Sequence, residues 1–583
     1  MGAFLLASER AAKFNLSGAV EVIRQQCRTE PVRFVLRGWS LFLFPKTLSG
    51  RSNYAENNSC AVYSTGTPFI AGCDHEQSLK RKLAEVSDGL FNGDDLRGLF
   101  WMLIREGEKL SFITDRSGHY PLYHTAEGDI VSSSFLGICN GLGTLSPDRE
   151  SMVENLLSGT LTGRDTLFRE VKRFDPQKPF SFRGIRFIAP GNNERFITDY
   201  YDRSDSIDSQ VEILDDWFAG MKPMAESYGT DAGITGGLDS RLLFALCRRH
   251  LSKEVLQFHS HFRKREDIDY SCGREISEKS GMKFVSAPTS DLSDDGPDLV
   301  TRMHEGMLFN DGQVRTHSFW HEEFNTASYR IKTLNEKRLG LNGIGGEQYR
   351  NMERLLFPSR SFRQWVRFDL VDKYSGNIVA GKKIRDELAD RISSKIAESL
   401  GINVGSAASL SVIKRYMNEV YNPSNRMLRA SHENRLSYFL SPFADAEVSL
   451  RAYGIIPHLG LSLGYEAELI KRIDPDVASF NSAYRFRFSE REPLPSIIPG
   501  LLFNNFLPRG MQSAFYELAS ARTTDRWENL YDPRGHSQEC LGAVESFNLP
   551  LSVRELVRRT DLGPLVFAMG HLLITFNGRI TVR

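Results

Sequence analysis

The chain has 583 residues, of which 41% are hydrophobic and 25% are charged. This length exceeds one ordinary domain, so at least two domains are expected, and the composition is typical of a folded protein. Basic residues (Lys and Arg) and acidic residues (Asp and Glu) number 73 each, which gives a formal net charge of zero. A general nucleic-acid binder needs an excess of positive charge, so no nucleic-acid partner is expected.

The apolar segments and the cysteines favour a cytoplasmic protein. The apolar stretch 562–576 is interrupted by Gly563, Pro564 and His571, and it is shorter than the ~20 residues that cross a bilayer. No signal peptide is expected, because no basic flank precedes a long apolar segment at the start of the sequence. The seven cysteines are dispersed and form no C-x-x-C pair, as a reducing compartment allows. We therefore expect no membrane partner.

Roughly the first 200 residues alternate short apolar segments with polar turns, a pattern that predicts antiparallel strands. A helix is predicted over 20–27. Strands are predicted over 33–44, 98–104, 110–114, 120–124 and 129–134.

The pattern changes after the short polar stretch at 204–208. A helix is predicted up to about Ala225, because apolar residues recur there at helical spacing. Predicted strands and helices then alternate as far as residue 286, and from residue 360 the sequence is mainly helical. Such alternation predicts a parallel, doubly wound sheet, which binds ligands at the carboxyl ends of its strands.

The segment Thr235–Ser240, with the sequence Thr-Gly-Gly-Leu-Asp-Ser, is the most informative motif. It joins a predicted strand to a predicted amphipathic helix. Gly236 and Gly237 allow the backbone to approach an anion closely, and the helix that follows directs its amides and its positive dipole end at the same point. The side chain of Asp239 could hold Mg²⁺ against phosphates. No Gly-Lys-Ser/Thr follows, so the loop is not of the Walker type.

This loop resembles the Ser-Gly-Gly-x-Asp-Ser loop of ATP pyrophosphatases. The wider arrangement resembles asparagine synthetase and its relatives, which include β-lactam synthetases and lasso-peptide cyclases. Further segments that match this family in order are Leu96–Phe100 with Thr114–Tyr123, Leu339–Gln348 and Ser437–Asp445. The similarity covers roughly residues 1–490.

The resemblance implies two domains. Residues 1–205 would form an α+β, Ntn-hydrolase-like layered β domain, a degenerate form of a glutamine amidotransferase domain. Residues 206–583 would form an α/β ATP pyrophosphatase domain of the adenine nucleotide alpha hydrolase-like type, with a helical C-terminal part.

The resemblance also implies the chemistry. Such enzymes bind ATP with Mg²⁺, adenylate a substrate carboxylate, release pyrophosphate and let ammonia or an amine attack. Asp239 and Glu347 would be the Mg²⁺ ligands, and Phe258 and Ser260 would flank the adenosine. The residues that would hold the pyrophosphate are Thr235, Gly236, Gly237, Asp239 and Ser240 in the first loop, and Gly345 and Gly346 in the second.

The sequence departs from this family at the glutaminase nucleophile. Glutamine-hydrolysing members use a cysteine exposed as the mature first residue, whose own α-amine serves as the base. Here residue 2 is Gly2, and Cys27 lies within a predicted helix. The amidotransferase-like domain is therefore expected to be a scaffold without glutaminase activity.

Two further departures concern the synthetase site. Ile344 stands where asparagine synthetases carry a glutamate, and an isoleucine cannot transfer protons. Glu433, on a predicted helix, is a candidate for that role, although a structural carboxylate is the alternative. The family's catalytic lysine is missing near 478–488, where Arg485 or Arg487 could stabilise negative charge; an edge strand is the alternative reading of that segment.

The leading hypothesis is an ATP-dependent amide-forming ligase acting on a small-molecule, sugar or peptide carboxylate. Ammonia, a substrate amine or a separate glutaminase would supply the nitrogen, and a second copy of the chain is a candidate partner. An intramolecular lactam- or macrocycle-forming synthetase is the alternative within this class. A nucleotide-binding scaffold subunit with degraded chemistry is the alternative from another class, and tRNA modification ranks last.

Overall fold

The computed structural model gives an α+β protein. It describes residues 2–176, 182–189, 191, 199–289, 299–315, 320, 322–356, 360–373, 379–508, 511–512, 514–515, 535–559 and 562–581.

Two sheets are stacked at the amino-terminal end. One has the strand order β12-β10-β11-β1-β3-β2, and the other has the order β13-β9-β8-β5-β4, in which only the β13–β9 pair is parallel. Strands β6 and β7 pair separately. The strands are β1 (Ala3–Ser8), β2 (Val32–Leu36), β3 (Trp39–Phe44), β4 (Tyr54–Glu56), β5 (Cys60–Gly66), β6 (Phe69–Ile70), β7 (Leu96–Arg97), β8 (Phe100–Glu106), β9 (Lys109–Thr114), β10 (Tyr123–Thr125), β11 (Ile130–Ser132), β12 (Val171–Arg173) and β13 (Ile185–Phe187).

Apolar side chains of both sheets form the core between these layers. The Phe4 ring of β1 stacks on the Trp101 ring of β8, with centroids 3.7 Å apart. The single strand predicted over 33–44 is wrong: two antiparallel strands, β2 and β3, turn at Gly38. Gly38 has a φ of 71°, a conformation that favours glycine and allows the chain to reverse there.

The third sheet is parallel throughout, with the order β16-β15-β14-β17-β18. Helices cover it, as a parallel sheet requires because both of its faces are apolar. This confirms the parallel sheet that the strand–helix alternation predicted. Its strands are β14 (Thr230–Gly233), β15 (Leu256–Phe262), β16 (Phe284–Pro288), β17 (Leu339–Leu341) and β18 (Tyr438–Leu440).

Helices surround the sheets, and beyond residue 360 they form most of the described residues, as predicted. Helices α10 and α12 continue into π-helical turns over Val366–Asp372 and Tyr416–Tyr421. The helices are α1 (Leu16–Cys27), α2 (His75–Ser87), α3 (Phe135–Gly141), α4 (Arg149–Ser158), α5 (Arg203–Tyr228), α6 (Leu238–His250), α7 (Ile268–Lys279), α8 (Leu299–Phe309), α9 (Ala327–Leu334), α10 (Phe362–Trp365), α11 (Lys382–Leu400), α12 (Leu410–Arg415), α13 (Asn422–Ser424), α14 (Arg426–Leu436), α15 (Ala446–Arg451), α16 (Gly464–Ile473), α17 (Pro475–Ala478), α18 (Leu494–Asn505), α19 (His536–Glu545), α20 (Val553–Arg559) and α21 (Gly563–Thr575).

One apolar cluster crosses the predicted domain boundary. Ala3 and Leu136 belong to it, together with Met307 of α8 and Leu572 of α21. The polar stretch 204–208, where the domain boundary is predicted, forms the first turns of α5. The division into 1–205 and 206–583 stays a prediction, and both parts contribute side chains to this cluster.

Across the described ranges, every helix is either too short or too polar to cross a lipid bilayer.

Candidate functional site

The site lies where the strand order of the parallel sheet reverses. From β14 the chain continues to β15 and β16 on one side, whereas β17 and β18 lie on the other. Loops that leave the carboxyl ends of two such strands diverge and leave a crevice, which is the usual ligand site of open α/β sheets. The segment Thr235–Ser240 follows β14 and continues into the first turn of α6, and the segment Gly343–Glu347 follows β17. We call these the first and second glycine loops.

Hydroxyl groups close the first glycine loop into a tight turn. The Thr235 Oγ1 and Ser240 Oγ atoms are 2.8 Å apart. Thr235 Oγ1 also accepts a hydrogen bond from the Gly237 N–H, and Ser240 Oγ accepts one from the Thr235 N–H, both at 3.1 Å. No side chain of the described residues caps the amino terminus of α6 at Gly237. The first amides of α6 are therefore available to an anion.

Gly236 is held from two sides by protein groups. Its N–H donates to Asp269 Oδ1 at 3.1 Å, and its carbonyl accepts from the Ala483 N–H at 3.0 Å. A Cβ at Gly236 would lie 2.9 Å from both the backbone nitrogen and the Cβ of Ala483. The need for glycine at this position therefore comes from the turn around Ala483, and the Gly236 amide would have to leave Asp269 to bind a pyrophosphate.

The second glycine loop packs directly on Asp239. A Cβ at Gly346 would lie 2.3 Å from Asp239 Oδ1, and a Cβ at Gly343 would lie 2.9 Å from the Asp239 backbone. Gly345 has a φ of 99°, and a Cβ there would lie 2.7 Å from the backbone of Phe443 and Ala444. Glycine at positions 343 and 346 therefore lets the two loops meet, whereas glycine at 345 lets the second loop pass close to the segment after β18. Glu347 follows at once in sequence.

Arg350 links the first loop to a buried acid. Its Nη2 donates to Asp239 Oδ2 and its Nη1 donates to Glu466 Oε2, both at 2.8 Å. One guanidinium thus serves two carboxylates. Burial, together with the negative charge of Asp239, raises the pKa of Glu466 well above its ordinary value. Arg350 therefore ties Asp239 to Glu466 of α16.

Glu347 is neutralised separately. Its Oε1 accepts from Arg426 Nη1 at 2.8 Å and from Asn422 at 3.3 Å, and its Oε2 accepts from the Gly345 N–H at 3.1 Å. Burial opposes the charge of Glu347, but the Arg426 and Arg350 guanidinium groups, together with hydrogen bonds that include the one from Asn422, hold the pKa of Glu347 below its ordinary value. Glu347 is therefore an ionised carboxylate at neutral pH.

The residues of both loops fit a divalent cation. Asp239 Oδ1 is buried, and no donor from the described part of the chain reaches it. Glu347 Oε2 has a second lone pair beyond the one that the Gly345 N–H occupies. Carboxylate oxygens are the ligands that Mg²⁺ prefers. Asp239 and Glu347 could thus hold Mg²⁺ between them.

The buried Lys414 side chain binds the backbone of the second glycine loop and of the residues that follow it. Its Nζ donates to the carbonyl oxygens of Glu347 and Arg350, at 2.5 Å each. Burial lowers the pKa of Lys414 from its ordinary 10.5 to about 8. The ammonium therefore fixes the backbone on either side of Gln348 and Tyr349.

This shifted pKa gives a testable pH dependence. The unfolded chain keeps the Lys414 proton up to a higher pH than the folded chain does, so this residue makes stability rise between pH 8 and 10.5. Urea midpoints measured across that range should rise for the wild type relative to Lys414→Met. Parallel pH profiles of the two proteins would contradict the assignment.

Phe258 and Ser260 belong to the scaffold. The Phe258 side chain is fully buried, and its ring centroid lies 4.4 Å from that of Phe244. The Ser260 hydroxyl donates to the carbonyl of Ile234, the residue before the first glycine loop. Neither side chain is placed to contact an adenosine; both hold β14 and β15 in position instead.

The candidate acid–base residue Glu433 lies in a buried ion network. Its Oε2 accepts from Arg330 Nε at 2.7 Å, its Oε1 accepts from Arg429 at 3.3 Å, and its side chain is 7% exposed. Arg330 also donates to Asp231 at 2.9 Å. This placement favours the structural alternative, and proton transfer by Glu433 stays a prediction.

Ile344 packs against an apolar cluster that includes Met427 and Ala430, so its side chain does not replace the missing glutamate.

The segment 478–488 forms turns, so the alternative prediction of an edge strand is wrong. Arg485 is exposed in this segment, two residues beyond Ala483, and Arg487 donates to Asn481 at 3.4 Å. Arg485 therefore lies on the turn that touches the first glycine loop.

Position 2 has no room for a side chain. A Cβ at Gly2 would lie 2.7 Å from the Arg435 carbonyl oxygen and 3.2 Å from Cys27 Sγ. Cys27 itself is fully buried, and burial raises the pKa of its thiol to about 12. Neither position offers a cysteine nucleophile.

Sequence reasoning missed four charged residues at the glycine loops. Arg350 lies three residues after Glu347, so its position directly after the second loop could have identified it as a site residue. Arg426, Lys414 and Glu466 come from distant helices and carried no sequence signal, because only tertiary packing brings them to the loops.

Neither a scan against known protein-family models nor a search of curated proteins found a match for this chain.

Proposed function

We propose that the protein is an ATP-dependent ligase that adenylates a substrate carboxylate, releases pyrophosphate and forms an amide with ammonia or an amine. One observation carries the proposal: two glycine loops from neighbouring parallel strands meet at Asp239, at the point where the strand order reverses. ATP would be the nucleotide substrate and Mg²⁺ the ion. The resemblance to asparagine synthetase supplies the reaction class.

The charged groups around the loops suit pyrophosphate. The uncapped amides of α6 and the guanidinium groups of Arg350 and Arg426 are positive, and they flank Asp239 and Glu347. Positioning and neutralising charge is the main work of such a site. Mg²⁺, when bound, would neutralise phosphate charge between the two carboxylates. Arg350 would then be free to turn from Asp239 towards the departing phosphates.

A nucleotide-binding scaffold without chemistry is the second candidate, because two observations favour it. The amide of Gly236 is already bonded to Asp269, and Ile344 packs in an apolar cluster. Both features leave a nucleotide site but remove groups that would assist a reaction. In lactam or macrocycle formation the attacking amine belongs to the substrate itself. A substrate that carries both a carboxylate and an amine, supplied without ammonium, distinguishes this reaction from amide formation with ammonia.

Pyrophosphate and phosphate release by the purified full chain tests the proposal. ATP, Mg²⁺ and ammonium are supplied with a panel of small-molecule, sugar and peptide carboxylates. Pyrophosphate that appears only with one carboxylate supports the ligase. ATP binding measured by calorimetry, without cleavage under any condition, would support the scaffold instead. Absence of both binding and cleavage would contradict both candidates.

Glutamine is expected to be no nitrogen source for this chain. Position 2 admits no side chain, and the Cys27 thiol is buried and protonated. Ammonium should therefore support amide formation with the preferred carboxylate, whereas glutamine alone should give no turnover and release no glutamate. Glutamate release that disappears in Cys27→Ser would show that Cys27 is a nucleophile and would overturn this expectation.

A further inference from the structure

The carboxyl-terminal helices bring three metal-ligating side chains together, well away from the glycine loops in sequence. His536 and Cys540 lie one turn apart on α19, and His571 lies on α21. One ligand atom from each residue lies within 4.8 Å of the others. His536 Nε2 is 2.8 Å from His571 Nδ1 and 3.4 Å from Cys540 Sγ.

The packing of the two helices creates this cluster. A Cβ at Gly570 would lie 2.2 Å from the carbonyl oxygen of Cys540, so only glycine allows the helices to cross so closely there. The crossing directs the neighbouring His571 towards Cys540. Both side chains are buried, with residue exposures of 4% for His571 and 0% for Cys540.

The hydrogen bonds of the cluster conflict in the absence of a metal. His536 Nδ1 lies 3.1 Å from Glu539 Oε2, a carboxylate that can only accept when ionised, so Nδ1 carries the hydrogen. In a neutral His536, Nε2 then has a single lone pair, so only one of its two neighbours, His571 Nδ1 or the Cys540 thiol, can donate to it. In addition, the buried Nε2 of His571 has no partner in the described part of the chain.

We propose that His536, Cys540 and His571 bind a zinc ion that fastens α19 to α21. Zn²⁺ takes imidazole nitrogen and thiolate sulfur at about 2.0–2.3 Å in a tetrahedral arrangement, which spaces the ligand atoms roughly 3.3–3.6 Å apart. The observed separations approach these values, and the two imidazoles need to open by only about half an ångström. Water completes the tetrahedron.

The surroundings of the three ligands suit this ion. Glu539 holds the remaining nitrogen of His536, as a carboxylate commonly does behind a zinc-bound histidine. Zinc would use both imidazoles in their neutral form, and it would displace one proton when the Cys540 thiol becomes a thiolate.

Metal content and spectroscopy of the purified full chain test the site. After chelation and gel filtration, the chain should take up about one zinc or cobalt ion per molecule. Its Co²⁺ form should show thiolate-to-cobalt charge-transfer absorption together with the intense visible bands of tetrahedral cobalt. Cys540→Ser should lose the charge-transfer band, and Cys139→Ser, which changes another fully buried cysteine, should keep it.

His536→Gln removes a ligand with less risk of misfolding than the changes at the two buried ligands, because the His536 side chain is partly exposed at the start of α19. This variant should bind zinc at least about tenfold more weakly. A chelator should lower the thermal unfolding midpoint of the wild type and of Cys139→Ser, but not that of Cys540→Ser. Metal uptake by the wild type no greater than that of a Cys540→Ser, His571→Asn double variant would overturn the site. None of these measurements uses ATP.

Discussion

Asp239→Asn should reduce pyrophosphate release from ATP by at least about 100-fold, because it removes a charge that the site uses to position a metal–phosphate complex. Asp239 is the contact point of both glycine loops, and its Oδ1 has no donor among the residues described. Asparagine has nearly the same shape and can still accept from Arg350. The loss should therefore reflect the missing charge.

Structural and stability measurements, together with a control variant, separate this effect from misfolding. The circular dichroism spectrum and unfolding midpoint of Asp239→Asn should match the wild type closely, since the side chain is 30% exposed. Asp476→Asn is the matched control, because Asp476 also lies in the first turn of a helix but is 78% exposed and pairs with Arg248. That variant should keep full activity. Mg²⁺-dependent ATP binding retained unchanged in Asp239→Asn would contradict the assignment of Asp239 to the metal.

The sequence predicted the features that depend on neighbouring residues. The alternation of strands and helices after residue 225 indicated the parallel sheet. The segment Thr235–Ser240 does join a strand to a helix, although the helix begins at Leu238, within the segment. Such features are local, because glycine spacing and apolar periodicity decide them within about ten residues. The meeting of the two loops was expected from the resemblance, and glycine contacts with Asp239 account for it physically.

Long-range packing explains what the sequence could not predict. The sequence indicates that Gly236 is a phosphate-loop glycine. In the structure, however, Ala483, nearly 250 residues further on, lies so close to position 236 that only glycine fits there. Phe258 lies within β15, and its side chain turns into the core against Phe244. Glu433 has the right chemistry for proton transfer, but Arg330 and Arg429 bind both of its oxygens. Each case depends on a partner that sequence spacing does not reveal.

Arg330→Met should destabilise the protein by about 3–5 kcal/mol, because it removes the cation from a buried ion network. Arg330 binds Asp231 at 2.9 Å and Glu433 at 2.7 Å, and the three side chains are 0–7% exposed. Burial would raise the pKa of Asp231, but His259 and Arg330 together hold it below its ordinary value. Methionine fills much of the volume but leaves Asp231 and Glu433 with less compensation for their burial.

Denaturant unfolding followed by tryptophan fluorescence measures the loss. Arg363→Met is the matched control: Arg363 pairs with Asp390 at the surface, where the side chains are 38% and 57% exposed, and the cost of losing such a pair should stay below about 1 kcal/mol. Equal midpoints for Arg330→Met and Arg363→Met would show that the network adds no stability.

Glu433→Gln decides between the two roles of Glu433 in the same assay. A structural member of the network should lose stability while keeping most of its pyrophosphate release per folded molecule, since Arg330 still holds Asp231. A proton-transferring residue should instead lose activity with little change in its unfolding midpoint. Because both oxygens of Glu433 are already bound by arginines, the first outcome follows from the geometry, and the amine must then attack without help from this carboxylate.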